Sequence, residues 1–335
     1  MILQAIARLV VGEDLTRAEM VELLGEVADG GTTPAQVGAF LAALRLKGET
    51  VEEIAGAAQV MRERAERIRV DQEIFVDTCG TGGDGQNTFN ISTTAAFVVA
   101  GAGVAVAKHG NRSVSSKCGS ADVLAALGVD VDAPRERVER CIAETGIGFL
   151  FAPRLHPAFK AVAGIRRELA IRTVFNLLGP LANPAGARYQ VLGVYEPRWV
   201  PILGGVLATL GTIHAFVVHG EGLDEIAVTG TTHVAEVVDG GVRTFDLVPE
   251  DLGLARWPAS ALAGGDAEEN ARITRSVLSG ARGGARDAVL ANAAAALVAA
   301  GAASDLRTGV RLAADSIDGG AAQEKLARLV AVSRA

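Results

Sequence analysis

Between residues 74 and 85 the sequence passes from a short apolar run, Ile74-Phe75-Val76, into Asp77-Thr78-Cys79-Gly80-Thr81-Gly82-Gly83-Asp84-Gly85. Four glycines there lack the Cβ atoms that would keep a backbone from closing on a ligand. The apolar segment Ala95 to Ala102 follows at helical length, so the stretch reads as strand, loop and helix. A chain that starts this way has to continue by alternation, and it does. Strand Val104 to Ala107, helix Ala121 to Leu127 closed by Gly128, and helix Pro134 to Thr145 come next. Strands follow near Phe149 and at Val191 to Tyr195, Ala215 to Val218 and Val234 to Val238, and the last third is helical. The pattern predicts an α/β domain with a mostly parallel central sheet and a helical C-terminal part.

Upstream the period is 3.6 throughout. Three helix starts are written as capping boxes, Thr16/Glu19, Thr33/Gln36 and Thr50/Glu53, with Pro34 at a first helical position and Gly48 as a stop. Val51 to Arg69 then carries a long amphipathic pattern. Residues 1–70 are therefore expected to form a small all-helical domain. No repeat of solenoid length is evident.

At 335 residues and 49% hydrophobic the chain can bury a substantial core. A net charge of -7 and a pI near 5.4 give no global field for nucleic acid or anionic membrane, which points to a small-molecule partner. The N-terminal residues lack a signal pattern, so a cytoplasmic location is expected. The uncharged stretches Trp199 to Ile213 and Ala288 to Ser304 read as buried helices: glycines and Pro201 interrupt the first, and Asn292 lies in the second. Cys79, Cys118 and Cys141 suit neither a disulfide framework nor a metal site, and are expected to be reduced thiols.

The glycine loop matches neither the Rossmann nor the Walker spacing, so a phosphate cradle and a merely tight turn both remain open on its residues alone. Asn87-Thr88-Phe89-Asn90-Ile91-Ser92-Thr93-Thr94 crowds hydroxyls and amides at a helix N-terminus, where orphan N–H groups favour an anion. Lys108-His109-Gly110-Asn111-Arg112-Ser113-Val114-Ser115-Ser116-Lys117 leaves the next strand and in a parallel sheet lies beside the first loop. Lys108, Lys117 and Lys160 fall close together in a chain where Arg predominates. Asp224-Glu225, in a glycine-flanked turn, could offer hard oxygen ligands to Mg²⁺ or be an acidic surface turn.

Together these segments resemble the anthranilate phosphoribosyltransferase family over nearly the whole chain. The resemblance rests on Gly80 to Asp84, Asn90 to Thr93, Lys108 to Arg112, Lys117 to Asp122, His156-Pro157-Ala158, Arg172 to Pro184 and Leu223-Asp224-Glu225. It implies a fold shared with pyrimidine nucleoside phosphorylases. A segment near 165–185 would return to the 1–70 helical domain, which is hinged to an α/β domain of 71–164 and 186–335 with the active site in the cleft.

Carried over by position, contacts to phosphoribosyl diphosphate (PRPP) fall on Gly80, Gly83, Asp84, Thr88, Asn90, Ile91, Ser92, Thr93, Lys108 and Ser120, with the loop from His109 and Gly110 through Arg112, Ser113, Val114, Ser115 and Ser116 beside them. Anthranilate falls on Gly80, Asn111 and Arg166, and Mg²⁺, two ions per subunit, on Ser92, Asp224 and Glu225. Lys108, Asn111 and Arg166 would carry catalysis. A homodimer through the helical domain and association with a separate anthranilate synthase chain are also implied.

The implied reaction is displacement at the ribose C1 carbon by the aromatic amine as diphosphate leaves. Arg166 fits the acceptor, because a guanidinium can fork around the anthranilate carboxylate and leave the amine lone pair free; on its own it would read as a solvated arginine beside Arg167. His109 suits a packing role as well as proton transfer. Ala170 departs from the family, which usually has Gly at this helix end. A nucleoside phosphorylase lacks support, since no nucleobase signature is evident. A nucleic-acid-binding paralogue would need a basic groove.

Overall fold

The computed structural model describes residues 1–113 and 117–335. Helices α1 (Ile2–Leu9), α2 (Arg17–Ala28), α3 (Pro34–Lys47) and α4 (Val51–Glu63) open the chain. Each of α2, α3 and α4 begins with its capping box complete, the threonine accepting from N3 and the N3 side chain accepting from the cap N–H. Helix α4 stops at Glu63, six residues before the expected end. Beyond it the backbone bonds sideways: Glu66 N–H donates to Leu155 O at 2.9 Å and Ile68 N–H to Pro184 O at 3.3 Å. Those distant carbonyls outcompete continuation of the helix.

Next come β1 (Phe75–Gly80), α5 (Ile91–Gly101), β2 (Ala105–Gly110), α6 (Ser120–Leu127), α7 (Arg135–Thr145), β3 (Ile147–Phe151), α8 (Ala152–Leu155), α9 (Lys160–Leu169) and α10 (Phe175–Leu181). Then follow β4 (Tyr189–Gly193), α11 (Trp199–Thr209), β5 (His214–Gly220), β6 (Thr232–Val238), β7 (Gly241–Leu247) and helices α12 (Ala267–Leu278), α13 (Gly284–Ala299), α14 (Leu306–Asp318) and α15 (Ala321–Arg334). The seven strands form one sheet in the order β3-β2-β1-β4-β5-β6-β7. The first five are parallel, and β6 and β7 close one edge as antiparallel strands. The architecture expected from the sequence, a small helical part and a larger α/β part with a mostly parallel sheet, is the one observed.

Both faces of the sheet are covered, which is why its strands read as continuous apolar runs. Val191, Phe216 and Val218 point to the face packed by α5 and α13. Their neighbours Leu192, Ala215 and Val217 join the core built by α1–α4, α11 and the segment from Phe159 to Ala182. The two uncharged stretches are the buried helices α11 and α13, and no helix among the described residues is long and apolar enough to cross a membrane.

Strand ends differ from expectation where it matters. β1 continues through Asp77, Thr78 and Cys79 to Gly80, and β2 through Lys108 and His109 to Gly110, so residues expected in loops lie in the sheet. Polar side chains can stay inside these strands because distant groups bond them. Asp77, fully buried, accepts from Asn183 Nδ2 at 2.8 Å and from His109 N–H at 3.1 Å.

Candidate active site

Strand order reverses at β1. From it the chain runs outward to β2 and β3 on one side, and β4 starts the other side. In open parallel sheets such a reversal leaves a crevice beyond the carboxyl ends of the two central strands. Those ends are Gly80 and Gly193, directly paired. Both need to be glycine, because a Cβ on Gly80 would overlap the Asp224 carboxylate and one on Gly193 the Asp224 carbonyl. The acidic turn is thus pressed onto the switch point.

Beyond Gly80 the backbone of Gly82, Gly83 and Gly85 takes positive φ (64°, 77° and 76°), as does Asn87 at 52°. Thr81 N–H donates to Gly193 O at 2.9 Å, and Tyr195 N–H to Thr81 Oγ1 at 3.1 Å. Gly82 N–H reaches Asp224 Oδ2 at 2.7 Å, and Asp84 steadies the turn by accepting from Gln86 N–H at 3.1 Å.

Helix α5 starts at Ile91, earlier than expected, and its N-terminus faces the same carboxylates: Ser92 N–H donates to Glu225 Oε1 at 3.0 Å. Asn90 sits at the cap, where its carbonyl accepts from Thr94 N–H and its side chain makes no capping bond. Its side chain donates to Cys118 O at 3.3 Å and accepts from Asn270 Nδ2 at 3.0 Å, tying this helix start to the second loop and to α12. Ile91 and Thr93 are buried in α5, so their side chains face packing, and Thr88 bridges to Ala263.

Lys108 is 3% exposed, bonded to Thr78 O and, at 3.3 Å, to Ser92 Oγ. Burial lowers its pKa, and Asp77, Glu225 and Asp224 oppose that shift. Gly110 admits no Cβ, which would meet Ser120 Oγ and Phe149. Ser120 Oγ in turn donates to Asn111 O at 3.1 Å. Arg112 pairs with Asp122 at 3.0 Å, and Ser113 N–H donates to Asp122 at 3.1 Å. Val114, Ser115 and Ser116 lie outside the described residues.

Burial pushes the Asp224 carboxyl up to about 7, with Asp84 adding repulsion, and pushes Glu225 to about 8, with Asp224 adding repulsion. Two hindered carboxylates that repel each other are poised for a hard cation. Among the described residues no group of three or more His, Cys, Asp or Glu side chains forms a closed metal cage. An ion here would draw its remaining ligands from substrate oxygens and water, as Mg²⁺ commonly does. The donor set therefore fits Mg²⁺.

His109 and His156 face each other, Nε2 to Nε2, at 3.2 Å. Gly179 O can only accept, so His109 Nδ1, at 3.0 Å from it, carries the proton. His109 Nε2 then accepts from His156. Burial lowers the first ring to about 3 and the second to about 4, so both are neutral and His109 has no nitrogen left for general-base work. Cys79 is buried and its thiol is pushed well above its usual range, which makes it unreactive.

Arg166 on α9 lies 5.6 Å from the Phe175 ring, and burial lowers its pKa. Among the described residues no carboxylate pairs with it. Three groups were not read from the sequence as site residues. Asn292 accepts from Ile226 N–H at 2.9 Å and donates to Ile226 O at 3.0 Å, which holds the acidic turn. Gly193 gives that turn room, and Arg172 touches the glycine loop. Asn292 carried a signal, being the one amide in an otherwise uncharged helix stretch.

The chain matches the glycosyl transferase family over its helical bundle domain at residues 3–65 and its a/b domain at residues 72–323. It is 76% identical to a protein of Anaeromyxobacter sp. (strain Fw109-5) named anthranilate phosphoribosyltransferase, covering 100% of this chain and 99% of that one. The crystal structure of anthranilate phosphoribosyltransferase from Thermus thermophilus superposes with a TM-score of 0.94 at 48% identity, over 99% of both chains. The enzyme from Saccharomyces cerevisiae in complex with PRPP and Mg does so with a TM-score of 0.90 at 30% identity, over 99% of this chain and 98% of that one.

Proposed function

We propose that this chain, which belongs to the anthranilate phosphoribosyltransferase family, transfers the 5-phosphoribosyl group of PRPP to the amine of anthranilate and releases diphosphate. The single observation that carries the reading on the chain's own residues is the Asp224-Glu225 turn. It is pressed against Gly80 and Gly193 at the switch point, with Gly82 N–H and Ser92 N–H bonded to its two carboxylates.

PRPP lies along the glycine loop and the start of α5. The amides of Gly83 and Asp84, the Ser92 and Thr93 region and the Lys108 ammonium face its diphosphate. Asp224, Glu225 and Ser92 would hold two Mg²⁺ ions, which supply charge neutralisation for the leaving diphosphate. The acceptor end is built by Gly80, Asn111 and Arg166. Arg166 is a cation without an acid partner among the described residues, and it orients anthranilate through its carboxylate. The amine then meets C1 in line, a gain of proximity and not of acid–base power. Since both His109 nitrogens are engaged, the amine proton leaves late, to water or to departing diphosphate.

A homodimer through the helical domain is supported by Leu3 (65% exposed), Val10 (66%), Val11 (72%) and Leu46 (88%), large apolar residues left uncovered on α1, its C-terminal end and α3. Association with a separate anthranilate synthase chain, in the cytoplasm, completes this reading.

Mixing the protein with anthranilate, PRPP and Mg²⁺ should extinguish anthranilate fluorescence. EDTA or omission of PRPP should prevent the loss. Persistence of fluorescence with a folded sample would contradict the reading.

A further inference from the structure

The loop from Gly80 to Gly85 has little of its own to hold it. Three of its glycines sit at positive φ and carry no side chain to pack, and ordering such a backbone is costly in entropy. Beyond the Thr81 bonds to Gly193 and Tyr195, its external anchors come from two directions. Gly82 N–H is bonded to Asp224, on the turn after β5. The carbonyl of the next residue, Gly83, accepts from Arg172, which lies between α9 and α10.

Arg172 is itself fixed from three sides. Its guanidinium lies 3.9 Å from the Tyr195 ring, just past β4, and a second nitrogen is 4.0 Å from Glu196 Oε1. Tyr195 closes the circuit, since its N–H donates to Thr81 Oγ1 in the same loop at 3.1 Å. One planar cation that stacks on an aromatic face while its edge donates to a carbonyl and faces a carboxylate is a task for arginine that lysine cannot reproduce. The side chain is 41% exposed, so this is no core residue. Six residues earlier in the same segment, Arg166 stands free of any carboxylate among the described residues.

We propose that Arg172 is a positioning residue for the phosphoribosyl donor: from the segment between α9 and α10 it holds the Gly82–Gly83 backbone in its donor-binding shape. This rests on the transferase reading above. Arg172 does not touch the reacting atoms; it acts through the Gly83 carbonyl.

The test compares Arg172→Ala and Arg172→Lys with the unaltered protein in steady-state kinetics for each substrate, and follows amide hydrogen exchange of residues 81–86 without substrates. Both variants should raise the KM for PRPP about tenfold, with kcat and the KM for anthranilate within about twofold, because one charge-assisted bond and its stacking are lost. Exchange in the loop should quicken in both. Tyr195→Leu should add little to Arg172→Ala, since the two act as one unit. With the unaltered protein turning over, an unchanged KM for PRPP or an equal rise in both KM values would overturn the proposal. Absence of turnover in the unaltered protein would instead overturn the transferase reading, and loop exchange unchanged by either substitution would still reject the anchoring.

Discussion

Asp224 Oδ2 accepts the Gly82 N–H at 2.7 Å across 142 residues of sequence, so the carboxylate offered to a metal is also a fastening for the phosphate loop. Metal and donor sites are thus mechanically one object. Their electrostatics pull the other way, because burial and mutual repulsion raise the Asp224 and Glu225 pKa values to about 7 and about 8. In the absence of a cation the ionised pair is a cost to the fold.

Replacing the pair with the isosteric amides, Asp224→Asn with Glu225→Gln, should therefore leave the metal-free protein no less stable while removing turnover. Mg²⁺ should raise the melting temperature of the unaltered protein, as a ligand bound only by the native state must. The variant should show no Mg²⁺-dependent shift and a loss of kcat/KM of about 100-fold or more. An unchanged Mg²⁺ shift in differential scanning calorimetry would remove these residues from the metal site.

The His109–His156 pair makes an acid-side prediction. Both folded pKa values, about 3 and about 4, lie below the ordinary 6.5, so the unfolded chain binds more protons. The stability they contribute is present above pH 6.5 and is lost as pH falls, by roughly 2 kcal/mol per ring by pH ~5. Denaturant titrations of His156→Gln should show a shallower fall in stability between neutral pH and pH ~5. A slope equal to that of the unaltered protein would show that the rings do not titrate in this way.

Removing the Arg166 cation should act on the acceptor. A buried charge-assisted pair contributes about 1.5–3 kcal/mol, so Arg166→Ala should raise the KM for anthranilate about 10- to 100-fold and leave the KM for PRPP nearly unchanged. Kinetics with varied anthranilate decide this; an unaltered KM would return Arg166 to an ordinary partly exposed helix position.

Ala170 ends α9 in the left-handed region, at φ 50° and ψ 25°. A side chain there costs about 1–2 kcal/mol, part of which glycine gives back in unfolded-state entropy. Ala170→Gly should stabilise the protein by about 0.5–1 kcal/mol by chemical denaturation. Destabilisation would mean that the Ala170 methyl makes a contact worth more than the strain.

What could be read from the sequence was what is decided locally. The capping boxes at Thr16, Thr33 and Thr50 involve groups three residues apart, and all three are present. Strands run past their apolar stretches where burial of a polar residue depends on a partner far along the chain, as Asp77 does on Asn183 and Lys108 on Thr78. Arg172 and Asn292 escaped as site residues for the same reason, since their partners Gly83 and Ile226 lie 89 and 66 residues away. Strand β7 is different. Its turn, Asp239-Gly240, takes positive φ at both residues (47° and 83°), and this two-residue hairpin signal is legible in the sequence although the alternation of β-loop-α units draws attention from it.

The most direct measurement is product stoichiometry: incubate the protein with PRPP, anthranilate and Mg²⁺, quantify diphosphate enzymatically, and identify the organic product by mass spectrometry. One diphosphate released per anthranilate consumed, with a product equal in mass to anthranilate plus ribose 5-phosphate less water, is the predicted result. Diphosphate released equally fast without anthranilate, or no phosphoribosyl adduct at all, would contradict the account.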